Sequence, residues 1–239
     1  MNLNIKIQGE GPSLVFFHGW GFDHTIWCDL ATAFEKKYTL YLVDLPGFGL
    51  SSLMNWSQFK SELLQHLPEQ FALIGWSMGG LYASRLANEL SEQVTHLINI
   101  ASSPRFIKEK NWPGVDENVF NNFFKNLTEN PQQTISEFVN LQLKNQTYNY
   151  SPQFLPSIES LKAGLTILAD WDLRESLFHF KKPTTYLFGR LDAITPSTTM
   201  GAMQKLYPLF NYVMFPKAAH MPFLSHQREF INTLETIFK

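Results

Sequence analysis

A mostly parallel α/β sheet with helices on both faces, and a helical lid inserted between two of its later strands, is the fold class this sequence predicts. Three observations carry that prediction. Continuous apolar runs recur at 13–17, 38–43, 71–74, 94–100 and 184–188, the pattern of strands buried on both faces. Segments of helical spacing lie between them, so strand and helix alternate as in a doubly wound sheet. The alternation lapses from about Pro104 to Phe180, where aromatic-rich helical stretches follow one another without a strand of five or more buried residues. The expected organisation is a sheet core formed by 1–103 and 181–239, with 104–180 as the lid.

Taken in order, residues 4–8 alternate as a short strand does, and Gly9-Glu10-Gly11-Pro12 is a turn. The strand at 13–17 ends in His18-Gly19-Trp20-Gly21-Phe22, where two glycines let backbone approach a ligand closely. The N–H of Trp20 is a candidate oxyanion donor, with its indole lining the site; His18 reads as a core histidine bonding loop backbone. An amphipathic helix is expected over 25–36, then the strand at 38–43 and the turn Asp44-Leu45-Pro46-Gly47-Phe48-Gly49-Leu50-Ser51. Asp44 precedes Ser77 in the chain and is read as serving that loop's own hydrogen bonds. A helix over 58–67 leads into the strand at 71, and after the next helix comes the strand at 94–100, broken by Ala101-Ser102-Ser103-Pro104. Within the lid, helices are expected over 119–127 and 134–143, with Trp112-Pro113-Gly114 and the polar run 145–152 as separators. The sheet resumes at 184–188, followed by Gly189-Arg190-Leu191-Asp192, a helix over 197–207, a last strand at 211–215, the loop Pro216-Lys217-Ala218-Ala219-His220-Met221-Pro222 and a closing helix over 227–238.

The totals exclude several functions. With 19 Lys and Arg against 21 Asp and Glu, the net charge of −2 gives no electrostatic footprint for nucleic acid. The start, Met1-Asn2-Leu3-Asn4-Ile5-Lys6, lacks a charged stretch followed by a long apolar run, and no later run of about 18 apolar residues occurs, so no membrane segment is expected. Cys28 is the one cysteine, so no intrachain disulfide forms; that suits the cytoplasm, and Cys28 itself reads as a small core residue. His-Glu-x-x-His, cysteine clusters, calcium-loop carboxylates and a Gly-x-Gly-x-x-Gly after the first strand are all absent, so neither metal nor cofactor is expected. A monomer is the default.

The chemistry centres on Leu73-Ile74-Gly75-Trp76-Ser77-Met78-Gly79-Gly80. Strand, tight turn and helix succeed one another there, and the two glycines of Gly-x-Ser-x-Gly lack the β-carbons that would clash at the crossing. Ser77 is thereby presented alone at a helix N-terminus, and the N–H of Met78 is placed to stabilise an oxyanion beside it. A serine hydroxyl is a weak nucleophile and needs a base. His220, after the final strand, is the candidate base, and Asp192, after the preceding strand, is the acid that would orient it. Each residue follows its own strand, in the chain order Ser, Asp, His. His24, His66, His96, His179 and His226 read as structural or surface residues. Asp170 and Asp172 are alternative acids without a strand before them.

With these residues assembled, the chain resembles the α/β-hydrolase superfamily along its whole length. His18-Gly19-Trp20-Gly21 and Gly75-Trp76-Ser77-Met78-Gly79-Gly80 are shared with many members. Ala101-Ser102-Ser103-Pro104 with Trp112-Pro113-Gly114, and Lys217-Ala218-Ala219-His220-Met221-Pro222-Phe223 with Ser225-His226, look like the pimeloyl-[acyl-carrier protein] methyl ester esterases of biotin synthesis. The resemblance implies hydrolysis of the methyl ester at the end of a pimeloyl chain held on an acyl carrier protein. Carried over, Ser77, Asp192 and His220 match the triad, Trp20 and Met78 the oxyanion donors, and Phe138-Val139-Asn140-Leu141-Gln142 the stretch lining the acyl channel; no cofactor is implied. The family's lid meets its acidic carrier through basic side chains. Here the matching helix carries Gln133 and Glu137 instead, which leaves Lys125, Lys144, Lys162 and Arg174 as candidates for a docking patch. Two other readings keep the fold: a general short-chain carboxylesterase or carbon–carbon hydrolase with the same triad, and a non-catalytic ligand-binding protein.

Overall fold

The computed structural model describes residues 2–143 and 154–239. Met1, Lys144 and the polar run 145–152 lie outside the described residues. The seven strands are β1 (Ile5–Gln8), β2 (Ser13–Phe17), β3 (Thr39–Val43), β4 (Phe71–Trp76), β5 (Val94–Ile100), β6 (Thr184–Gly189) and β7 (Asn211–Phe215). They form one sheet in the order β1-β3-β2-β4-β5-β6-β7. β1 is antiparallel to β3 at one edge, and every other pair is parallel.

Parallel strands need crossovers, and the helices supply them on both faces. Side chains alternate along each strand, so Val15, Phe17 and Leu73 pack in one core while Leu14, Phe16, Ala72 and Ile74 pack in the other. The first core is covered by α2 (Trp56–Leu64), α3 (Met78–Glu89) and α8 (Ser197–Leu206). The second lies under α1 (Cys28–Phe34), α9 (Pro222–Ser225) and α10 (Gln227–Ile237). Four further helices, α4 (Glu117–Glu129), α5 (Pro131–Leu143), α6 (Ile158–Asp170) and α7 (Arg174–Phe178), all fall between β5 and β6. The ends of this segment meet where Leu173 N–H donates to the Pro104 carbonyl at 2.9 Å.

Register decides where the loops emerge. Phe17 pairs with both Val43 and Gly75, Trp76 with Ile100, Ile100 with Leu187, and Gly189 with Phe215. The carboxyl ends of all six parallel strands therefore share one edge of the sheet, where open α/β sheets bind ligands.

Local chemistry shifts several expected boundaries. The helix expected over 25–36 is instead a 3-10 turn (His24–Trp27) followed by α1, because the Asp23 side chain accepts from Thr25 N–H and fixes the start. α2 begins two residues before the expected 58, since Asn55 and Gln58 form a reciprocal capping box. An extra turn, α9, precedes the closing helix, opened by Pro222 in its first position. Cys28, read as a core residue, is only half-buried; it begins α1 with its Sγ 3.8 Å from Lys6 Nζ. Among the described residues, no helix is long and apolar enough to cross a membrane.

Candidate active site

β4 is buried at every position and ends against α3, which opens at Met78. Between them Ser77 adopts φ 55° and ψ −119°; with Ala101 at φ 45°, it is one of two non-glycine residues of positive φ among those described. Such conformations cost on the order of 1–3 kcal/mol each and persist only when their surroundings fix them. Here the Ser77 N–H donates to the Ile100 carbonyl at 2.9 Å, and the Ser77 carbonyl accepts from Gly80 N–H at 2.9 Å and from Ser102 Oγ at 2.8 Å. The flanking glycines are required by space. A β-carbon on Gly75 would strike the Gly79 carbonyl, and one on Gly79 would strike the Phe17 carbonyl.

Asp192 follows β6. One of its carboxylate oxygens accepts from Ile194 N–H at 2.8 Å and Thr195 N–H at 3.0 Å, and the other lies 2.7 Å from His220 Nδ1. An ionised carboxylate only accepts, so Nδ1 carries the proton and Nε2 presents its lone pair. His220 is itself pinned: the Trp76 indole donates to its carbonyl at 2.9 Å, and the two rings lie 5.7 Å apart. His220 Nε2 is buried without a hydrogen-bond partner among the described residues, so the bond to Ser77 Oγ is not closed here. Hydrogen bonds of this kind are commonly long before a substrate is bound.

Ser77 lies in the wall of a cavity of about 150 Å³. The remaining walls are almost wholly apolar. Phe106 and Val115 come from the 104–116 stretch, Val119, Phe120 and Phe123 from α4, Phe138 and Leu141 from α5, Leu165 and Leu168 from α6, and Ala193 and Ile194 from the loop carrying Asp192. Of the α5 residues carried over from the resemblance, Phe138 and Leu141 line this cavity. Gln142 does not; it is buried, with its amide 3.4 Å from the Phe138 carbonyl, because it sits on a different face of the helix.

Trp20 also departs from expectation. Its indole does not line the cavity; Nε1 donates to the Leu161 carbonyl at 2.8 Å, and the ring packs edge-on behind Phe123 and Phe138 at 5.5 and 5.2 Å. Gly164 on α6 leaves room for that ring, where a β-carbon would come within 2.6 Å of it. The backbone N–H of Trp20 makes no hydrogen bond among the described residues, and Met78, at the first position of α3, has no carbonyl one turn back to donate to.

The neighbouring loops are tied together. His18 accepts from Leu45 N–H through Nε2 at 2.9 Å, and burial lowers its basicity. Asp44 accepts from His24 N–H and Asn4 Nδ2 as well as from Leu50 N–H, and lies 2.8 Å from His24 Nδ1. Burial pushes the Asp44 carboxyl up, but the His24 hydrogen bond, the nearby His18 and the backbone N–H donors outweigh it and bring it to about 2. Asp23, His24 and Asp44 hold potential ligand atoms within 4.8 Å of one another, yet these hydrogen bonds already occupy them.

Two contributors escaped the sequence. Thr195 Oγ1 donates to the Ala101 carbonyl at 2.9 Å while its N–H binds Asp192, so it joins the loop carrying Asp192 to the stretch that holds Ser77 through Ser102. The Asp-x-x-Thr spacing is a local turn signal; Ser102 is marked only as part of the Ala101-Ser102-Ser103-Pro104 motif, and no local pattern assigns it a bond to Ser77.

Residues 14–233 match the model of the alpha/beta hydrolase family. The pimeloyl-[acyl-carrier protein] methyl ester esterase of Legionella pneumophila (strain Corby) is 52% identical over 239 residues, covering 100% of both chains. The protein of that name from Aeromonas hydrophila is 35% identical over 250 residues, covering 98% of each. Among solved structures, an esterase from Exiguobacterium antarcticum superposes with a TM-score of 0.91 at 20% identity, covering 99% of this chain and 96% of that one, a likeness of fold. By the family match and by these full-length relatives, the chain belongs to the alpha/beta hydrolase family.

Proposed function

We propose that this chain is a serine carboxylesterase that removes the methyl group from pimeloyl-[acyl-carrier protein] methyl ester in biotin synthesis. The observation that carries ester hydrolysis is the position of Ser77, in a positive-φ turn at the wall of an otherwise apolar cavity. The choice of ester is supported by relatives of that name at 52% identity over the whole chain.

In this reading His220 Nε2 takes the Ser77 hydroxyl proton as Oγ attacks the ester carbonyl, while Asp192 holds the imidazole and balances the imidazolium. The N–H groups of Trp20 and Met78 receive the oxyanion. Collapse of the tetrahedral intermediate expels methanol, protonated by His220, and leaves an acyl-enzyme on Ser77. Water, activated by the same imidazole, then releases the free carboxylate. The segment 104–180 acts as the lid, with Phe138 and Leu141 against the acyl chain. Burying about five methylenes there, at roughly 0.8 kcal/mol each, supplies several kcal/mol for positioning. The protein is read as cytoplasmic, in keeping with its one cysteine, and as a monomer by default.

The test compares hydrolysis of the carrier-bound pimeloyl methyl ester with that of p-nitrophenyl acetate, for wild type and Ser77→Ala. Serine-dependent preference for the carrier-bound ester is the expected result. Serine-dependent activity confined to the short ester would keep the mechanism and overturn the substrate.

A further inference from the structure

We propose that the acidic carrier protein docks in the groove between the 104–116 stretch and α8, with Lys108, Lys110 and Lys205 as its cationic contacts. This rests on the carrier-linked esterase reading and assigns the surface that holds the protein half of its substrate.

The groove is an open depression of about 870 Å³. All three lysines line it, all three are exposed, and none forms an ion pair among the described residues. Glu109, the one acid in its wall, already binds Arg105 Nε at 3.0 Å and Arg174 Nη2 at 2.8 Å. Arg174 is shared in turn with Asp172. The two arginines and two acids cancel, so the three lysine charges stand uncompensated. An acidic surface is the complement they fit.

The lid helices offer less. Gln133 and Glu137 on α5 hydrogen-bond each other at 2.8 Å, Lys125 faces Glu129 at 3.9 Å, and Lys162 lies over the Phe124 ring at 5.9 Å. Lys144 lies outside the described residues. Of the candidates for a docking patch, Arg174 is already held by two acids, Glu109 at 2.8 Å and Asp172 at 2.5 Å.

Position and rigidity also favour the groove. The 104–116 stretch turns one side to the cavity, through Phe106 and Val115, and its tip from Lys108 to Pro113 to the groove. α8 begins three residues after Ile194, which lines the cavity with Ala193. Phe106, in the cavity wall, and Lys110, in the groove, are four residues apart, at most roughly 13 Å along the chain, so the groove adjoins the cavity that holds Ser77. The platform is preformed. Glu109 and Trp112 exchange backbone hydrogen bonds at 3.0 and 3.1 Å, the Trp112 indole donates to the Arg105 carbonyl at 2.9 Å, and Tyr207, just after α8, donates to the Arg174 carbonyl at 2.9 Å. A rigid charged surface lowers the ordering cost of binding and speeds encounter.

The experiment measures kcat/KM for the carrier-bound pimeloyl methyl ester and for dimethyl pimelate. Three proteins are compared: wild type, the triple variant Lys108→Glu/Lys110→Glu/Lys205→Glu, and the lid-face variant Lys125→Glu/Lys162→Glu. The triple variant should lose about tenfold or more on the carrier-bound ester, chiefly through KM and with a flatter salt dependence, while dimethyl pimelate is hydrolysed as before. An equal loss on both esters would mean general damage and overturn the proposal. So would a loss confined to the lid-face variant, which would move docking to α4 and α6. If wild type itself shows no preference for the carrier-bound ester, the parent reading fails, and that outcome is recognised without either variant.

Discussion

At the scale of single residues, the site depends on groups whose geometry leaves little slack. Asp192 Oδ2 and His220 Nδ1 stand 2.7 Å apart with both partners buried, so the imidazole has one available tautomer and one free nitrogen. Substituting Ser77→Ala or His220→Ala should each lower kcat on the order of 10⁶, and Asp192→Asn on the order of 10⁴, with circular dichroism and Tm near wild type. A smaller loss at His220 would assign the base elsewhere. Gly79→Ala tests the turn: its β-carbon meets the Phe17 carbonyl, which belongs to a central strand and cannot retreat. The expected cost is about 1–3 kcal/mol of stability in urea melts together with loss of activity, since relief of the clash must displace Ser77. Sequence reasoning reaches these positions because Gly-x-Ser-x-Gly and two strand-end loops are local patterns. It misplaces Gln142 and the Trp20 indole, because which face of a helix or loop looks into a cavity is set by packing.

At the scale of elements, the loop that carries Asp192 and the turn that carries Ser77 are coupled through Thr195. Its N–H binds Asp192 and its hydroxyl binds the carbonyl of Ala101, whose φ of 45° sets up Ser102 to reach the Ser77 carbonyl. Thr195→Val keeps the shape and leaves the buried Ala101 carbonyl without its donor, costing about 1–2 kcal/mol of stability; because the same link positions the Ser77 turn, kcat should also fall about tenfold with KM little changed. Thr195→Ser should restore it; a Ser variant as slow as Val would make the role one of packing alone. A second link joins β2 to the helices above the cavity. Trp20→Phe removes the 2.8 Å bond to the Leu161 carbonyl on α6 while keeping the ring behind Phe123 and Phe138. Steady-state kinetics across an ester series should show KM rising for long acyl chains more than for acetate, because the wall against the acyl chain loosens while Ser77 stays in place.

At the scale of the whole molecule, the loops at the sheet edge carry buried ionic chemistry that makes stability depend on acid. Asp44 sits near 2 in the folded chain against 3.8 for the free side chain. As pH falls the unfolded state binds that proton first, so the stabilisation is present above about pH 4 and is lost between about 4 and 2, an effect of about 2 kcal/mol. Tm measured against pH should therefore drop steeply in that window for wild type. Asp44→Asn should start lower at neutral pH and lose less across it; parallel curves would show that Asp44 titrates no differently in the two states.

The sequence alone determined the strand positions, the alternation and the chain order of Ser77, Asp192 and His220, because apolar runs and glycine-bounded turns are written locally. β5 and β7 fall at the residues expected of them, 94–100 and 211–215. Helix ends were less legible, as capping by Asp23, Asn55 and Pro222 moved them by one turn or less. Tertiary structure alone decided the cavity, whose walls come from Ser77 and from five separate stretches between β5 and α8, the Thr195 link across 94 residues, and the convergence of Lys108, Lys110 and Lys205 on one groove. Those features depend on distance in space between residues far apart in the chain, which no local pattern records.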